Sequence, residues 1–188
     1  MHGELMNHDI WTQKNYIQAY RFAANAHRDQ VVPGTNNLPY IMHLSFVSME
    51  VIAALRAETG RDENLAVQSA LLHDVIEDTN VSYQQVSNEF GSKVANGVLA
   101  LSKDKRVDKQ SQMEDSLKRI KLQPQEIWMV KLADRITNLQ PPPENWTKDK
   151  IEKYQAEAIQ IVSALEEASD FLASRLREKI VAYSEFRK

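Results

Sequence analysis

The chain has 188 residues, of which 23 are basic and 26 acidic, a formal net charge of −3, 43% hydrophobic residues and no cysteine. That length closes one sizeable core, the charge gives no sign of a nucleic-acid partner, and the lack of thiols excludes disulfides and thiolate metal sites. No stretch approaches the roughly 20 apolar residues that cross a bilayer, and MHGELMNHDIW lacks the basic-then-apolar order of a secretory signal, so a cytoplasmic protein is expected.

Apolar residues recur at helical spacing almost throughout. Tyr16, Tyr20, Ala23 and Ala24 predict a first helix over 12–28, followed by VVPGTNNLP, a loop ending at Pro39. Ile41, Leu44, Val47, Val51, Ile52 and Leu55 predict a second helix from Tyr40 to near Gly60. Asp62 caps a third, which carries Leu65, Ala66, Ala70, Leu71, Leu72 and Val75 and is expected to continue through ALLHDVIEDT. It is apolar on nearly every side, the mark of a central, buried helix.

Ser82 is placed to cap a short helix to Phe90, and a further helix follows Gly91. The charge-dense SKDKRVDKQSQMED is either a loop or the solvated start of a helix. Pro124 suits the first position of the next helix, which contains IWMVKLADRITNL and stops at Pro141-Pro142-Pro143. Thr147 caps a long closing helix to about 183, whose last part, from about 166, either covers the core or meets a partner. No strand-like alternation and no repeat stand out. The expected architecture is all-α: a single domain over 1–188 with its core at about 12–165, a bundle of roughly 8–10 helices.

Three segments place ionisable groups inside apolar runs, where an unpaired charge is costly. In PYIMH, His43 sits near the start of the second helix. In ALLHDVIEDT, His73 and Asp74 stand about 100° apart on a helix, and His73–Glu77 and Asp74–Asp78 form i,i+4 pairs. Three carboxylates and an imidazole so close repel one another unless a divalent cation lies among them; the ordinary alternative is an exposed acidic helix end. In VKLADRITNL, Asp134 needs Lys131, Arg135 or a metal as counter-charge, and Asn138 faces the same cleft one turn later. Two imidazoles and two carboxylates suit Mn²⁺, Fe²⁺, Zn²⁺ or Mg²⁺ with positions left for water and substrate. His8-Asp9 also spells the doublet, but without apolar support. His27 reads as a structural residue at a helix C-terminus, where a cation is favoured.

In this order, PYIMH, ALLHDVIEDT and VKLADRITNL resemble the hydrolase domain of the RelA/SpoT family of alarmone enzymes within the HD superfamily. The length is similar to its stand-alone small hydrolases, of the metazoan SpoT-homologue type. The resemblance implies Mn²⁺-dependent hydrolysis of the 3′-pyrophosphate of a nucleotide polyphosphate, (p)ppGpp, to GDP or GTP and pyrophosphate. It implies one metal ion on His43, His73, Asp74 and Asp134, with Glu77 and Asp78 orienting and activating the attacking water. It also matches Asn138 to a nucleotide contact near the ribose, and Lys105, Lys150 and Tyr154 to substrate contacts. Lys103, Arg106, Lys109, Lys148 and Lys153 are further cations for a polyanion, or a solvated face.

One departure bears on specificity. Where the family carries an Arg-Lys pair before the PYIxH segment, this chain has Val31, Val32 and Pro33, with Arg28 the nearest cation. Valine offers a purine neither stacking nor a cation. The base is therefore open, and an HD phosphatase acting on an adenosine polyphosphate or NADPH stands as the alternative, ahead of a non-catalytic nucleotide-binding module.

Overall fold

Helix starts fall where a short polar side chain takes an otherwise unpaired amide. In the computed structural model, which describes residues 10–187, Thr12 accepts from the Asn15 amide and opens α1, Gln13–Ala26. Asp62 accepts from Leu65 and opens α3, Glu63–Leu72. Ser82 and Gln85 form a reciprocal capping box at the head of α5, Tyr83–Phe90. Thr147 opens α9, Lys148–Leu165, and Ser169 opens α10, Asp170–Tyr183. The others are α2, Ile41–Ala57, α4, Val75–Asp78, α6, Ser92–Leu101, α7, Gln112–Lys121, and α8, Gln125–Asn138. No strand occurs among the described residues; the nearest approach is an isolated bridge between Val31 and Pro39. His8 and Asp9 lie outside the described residues. None of the described helices is long and apolar enough to cross a membrane.

The α3 helix is central, packed against α1, α2, α6 and α8. Every residue from Leu65 to Leu72 except Gln68 is buried, which explains its nearly all-round apolar sequence. The second axis is α8, which runs between α2, α3, α9 and α10 with Ile127 through Thr137 buried save Trp128 and Lys131. One core extends from Ala19 on α1 to Tyr183 on α10. Where α6 crosses α8 the fit is so close that a Cβ on Gly97 would run into Ile127. Truncating a fully buried leucine such as Leu71 to alanine is worth about 2–5 kcal/mol in such a core.

Three expectations are corrected. The third helix does not run through ALLHDVIEDT: α3 ends at Leu72, His73 is its C-cap, and Asp74 (φ −101°, ψ −5°) begins the separate single turn of α4. The long closing helix is also broken, with a 3₁₀ turn at Glu166–Ala168 and Ser169 extended. That break is held from a distance. Arg61 donates to the Ala168 carbonyl at 2.7 Å, and the Glu58 carboxylate accepts from the Phe171 amide at 2.9 Å. The C-terminal segment covers the core, burying Leu172, Ala173, Leu176, Ile180 and Tyr183. Pro124 precedes α8 as its cap, with ψ 152°, and is not its first helical residue. The charge-dense segment resolves into a loop followed by α7.

Candidate metal centre

The chain breaks where the two central helices meet the start of α2, and the ionisable groups converge there. His43 is the third residue of α2 and buried. Its Nε2 lies 3.4 Å from Asp134 Oδ1 and 3.8 Å from Asp74 Oδ2. His73 Nδ1 lies 2.8 Å from the Ala70 carbonyl, an acceptor, so that nitrogen carries the proton. The neutral ring then has its lone pair on Nε2, which faces Asp74 Oδ2 at 2.9 Å and Asp134 Oδ1 at 3.7 Å. The Asp74 approach is close but misaligned, and this buried Nε2 has no hydrogen-bond partner among the described residues. Imidazole nitrogens that face carboxylate oxygens need a proton or a metal cation between them.

Ligand atoms of His43, His73 and Asp134 all lie within 4.8 Å of one another. Asp74 adjoins them, with Oδ2 held by the Tyr40 hydroxyl at 2.7 Å. Nitrogen and oxygen donors without sulfur fit a hard or borderline divalent ion. The backbone bond on the far side of His73 and the Tyr40 hydroxyl on Asp74 Oδ2 are the outer contacts that orient such ligands.

The protonation of the metal-free cluster follows from the same packing. Burial opposes charge on His73, but Asp74 and Asp134 outweigh it and raise its pKa well above the usual imidazole value. Burial also opposes charge on Asp74, yet the adjoining imidazole holds that carboxyl at about 2. Asp134 is likewise lowered against burial by Lys131, His43 and His73. Its counter-charge is Lys131, whose Nζ is 3.1 Å from Oδ2. Arg135 is not the partner: its guanidinium lies 4.3 Å over the Tyr154 ring and 3.5 Å from Glu157. Asn138 donates to Asp134 Oδ1.

Although α4 is a separate turn, the Asp78 amide bonds the Asp74 carbonyl at 2.9 Å, so this pair keeps the i,i+4 relation of one helical turn. Glu77 accepts from the Lys103 amide at 2.8 Å and from its Nζ at 3.2 Å. The Asp78 carboxyl is raised above the usual carboxylate range, by burial first and then by Asp74 and Glu77. A cavity of about 260 Å³ opens beside Asp134, and Lys103, Lys131, Arg135, Asn138 and Tyr154 are among its walls. Asn138 and Tyr154 thus reach the cavity together. Lys105 and Lys150 do not line it: the first contacts the Glu77 carbonyl at 3.3 Å, and the second lies 4.1 Å over the Trp146 ring.

Sequence reasoning passed over Tyr40, although PYIMH places it one turn before His43 on the same side of α2. It also read Lys103 only as one cation in a charged run. His27 is buried as expected of a structural residue, but it is not a helix-end cation. Burial lowers its pKa, against a 2.7 Å contact with Gln30 Oε1.

A helical bundle that gathers histidines and aspartates from α2, α8 and the junction of α3 with α4 defines a class, the HD metallohydrolases, and comparison with known proteins agrees. Residues 19–169 match the HD domain family, and the chain belongs to it. It is 30% identical over 164 residues to the guanosine-3′,5′-bis(diphosphate) 3′-pyrophosphohydrolase MESH1 of Xenopus tropicalis, covering 85% of this chain and 89% of that one. Human MESH1 is also 30% identical, with 86% and 90% covered. The bifunctional (p)ppGpp synthase/hydrolase SpoT of Escherichia coli is 36% identical over 158 residues, which span 81% of this chain but 21% of SpoT. Among solved structures, a metazoan ortholog of SpoT that hydrolyses ppGpp superposes with a TM-score of 0.79 at 26% identity, covering 92% of this chain and 97% of that one.

Proposed function

We propose that this chain is a metal-dependent phosphohydrolase that removes the 3′-pyrophosphate of guanosine 3′,5′-bis(diphosphate), leaving GDP and pyrophosphate. The observation that carries the reading is the buried His73 Nε2, which faces two carboxylates with no hydrogen-bond partner among the described residues, while Nδ1 is committed to the Ala70 carbonyl and leaves Nε2 as the nitrogen that can bind an ion. His43, His73, Asp74 and Asp134 hold the ion, taken to be Mn²⁺. Such an ion supplies a water of lowered pKa and polarises a phosphoryl oxygen.

The residues around it have distinct work. Asp78 has a raised pKa that suits it to take the proton of the attacking water as general base. Glu77, braced by Lys103, keeps that water in line. The water attacks the phosphorus bonded to O3′, the P–O3′ bond breaks, and O3′ leaves as the ribose hydroxyl once protonated. Lys103, Lys131 and Arg135 along the cavity wall offset the charge of the phosphates, the main demand of phosphoryl transfer. Asn138 and Tyr154 contact the nucleoside, with Lys105 and Lys150 reaching it only through a change of side-chain position.

The test is to incubate purified protein with Mn²⁺ and guanosine 3′,5′-bis(diphosphate) and resolve the products. Equimolar GDP and pyrophosphate are expected. Orthophosphate as the only phosphate product overturns the reading. Running the adenosine counterpart in parallel reads the base preference that Val31 and Val32 leave open.

A further inference from the structure

The segment that joins α1 to α2 reaches the site at both of its ends. Gln30 donates from Nε2 to the backbone carbonyl of Asp78 at 2.6 Å. That bond fixes the orientation of the amide, so Gln30 Oε1 is the acceptor facing His27 Nδ1 at 2.7 Å, and the imidazole proton sits on Nδ1. His27 is 2% exposed, and its ring stacks on Tyr40 with centroids 4.8 Å apart and planes 24° apart. Tyr40 in turn donates to Asp74. Two ties therefore leave one packed unit: Tyr40 to the beginning of the α4 turn, and Gln30 to its end.

The α4 helix needs them. It is four residues long, and its entry is closed by one bond, from the Asp78 amide to the Asp74 carbonyl at 2.9 Å. A single turn has no stability of its own, and the carbonyl of its last residue has no intrahelical partner. Gln30 supplies that partner.

We infer that His27 and Gln30 are positioning residues for the hydrolytic step: the relay from His27 Nδ1–H through the Gln30 amide to the Asp78 carbonyl holds the Asp78 carboxylate where it meets the attacking water. The inference rests on the reading of Asp78 as the general base. Neither residue touches the metal ligands through a hydrogen bond, so the effect falls on turnover and not on ion binding. The His27 ring can be replaced in one specific way. Asparagine puts an amide donor near the Nδ1 position, whereas leucine keeps bulk and removes the donor.

The experiment measures steady-state kinetics, Mn²⁺ affinity and amide hydrogen exchange on wild type, Gln30→Met, His27→Leu and His27→Asn. Gln30→Met and His27→Leu should lower kcat about 10–100-fold, the cost of misplacing a reacting group by about 1 Å. KM and Mn²⁺ affinity should stay within about threefold, and His27→Asn should recover most of the loss, as a donor lost or regained at that site requires. In the metal-free protein, exchange at the amides of residues 75–80 should rise in the two defective variants and return in His27→Asn. Unchanged kcat together with unchanged exchange in Gln30→Met overturns the proposal, as does a loss of Mn²⁺ affinity that accounts for the loss of activity. A wild type that binds Mn²⁺ but leaves the guanosine nucleotide intact refutes the substrate assignment alone; exchange at residues 75–80 still decides the brace.

Discussion

Asp74 and Asp134 raise the pKa of His73 well above the usual imidazole value against the opposing effect of burial, so in protein stripped of metal the ring is expected to carry its second proton. A divalent ion needs the Nε2 lone pair, since Nδ1 is committed to the Ala70 carbonyl. Each ion that binds near neutral pH should therefore expel one proton. The sign follows: below the raised pKa of His73, apparent affinity for Mn²⁺ climbs about tenfold per pH unit, or about 1.4 kcal/mol, and it levels off above that pKa. Once the ion is at about a hundred times its dissociation constant, it adds about 2.7 kcal/mol to folding. At roughly 2–4 °C per kcal/mol for a chain of this size, melting should rise by about 5–11 °C. Calorimetry in two buffers of different ionisation enthalpy counts the proton, and melts with and without chelator at pH 6 and 7 read the linkage. Asp134→Asn removes one ligand and one counter-charge of His73, so both the proton release and the melting shift should largely disappear. Identical binding enthalpies in the two buffers, with an affinity flat between pH 6 and 7, would refute the tautomer argument and the metal assignment of Nε2 with it.

Two further outcomes test separate parts of the structure. Asp78→Asn should lower kcat by about 10²–10⁴-fold, the range for losing a general base, while the Mn²⁺-dependent rise in melting temperature is retained; loss of that rise would place Asp78 among the ligands. Gly97→Val forces a branched side chain into Ile127 at the α6–α8 crossing and should cost about 1–3 kcal/mol by overpacking, measured by urea denaturation. Its kcat per folded molecule should stay near wild type, since neither Gly97 nor Ile127 lines the cavity.

Much of this arrangement was legible because local chemistry and tertiary need agree. Asp62, Ser82 and Thr147 cap helices in the structure as their side chains suggest, and the all-round apolar run of Leu65–Leu72 marks the buried axis. The two broken helices were not legible, and for one reason. Residues distant in sequence supply the bonds that make each break tolerable: Tyr40 and Gln30 at the α4 turn, Arg61 and Glu58 at the α9–α10 corner. Periodicity reports which faces are apolar and continues smoothly across both breaks. Lys105 and Lys150 show the same limit from the other side, for spacing can place a cation near a site without telling which neighbour its ammonium group will choose.

The 27–40 segment divides what the sequence left joined. His27, Gln30 and Tyr40 turn inward and tie the site, whereas Val31 and Leu38, between them, are about half exposed at 46% and 43%. The exposed part has its own scaffold. Val31 bridges to Pro39, the Val32 amide bonds the Leu38 carbonyl at 2.9 Å, and Gly34, at φ +75°, turns the chain so closely over Pro143 that a Cβ would sit 3.0 Å from its ring. A loop that closes on itself in this way can change its exposed side chains without disturbing the ties at its ends. Under the proposed function, substitutions at Val31, Val32 and Pro33 are expected to change the ratio of kcat/KM for guanosine and adenosine nucleotides and to leave Mn²⁺ affinity unchanged. Catalytic competence and base preference are then expected to separate, the first resting on the tied ends of the segment and the second on its exposed middle.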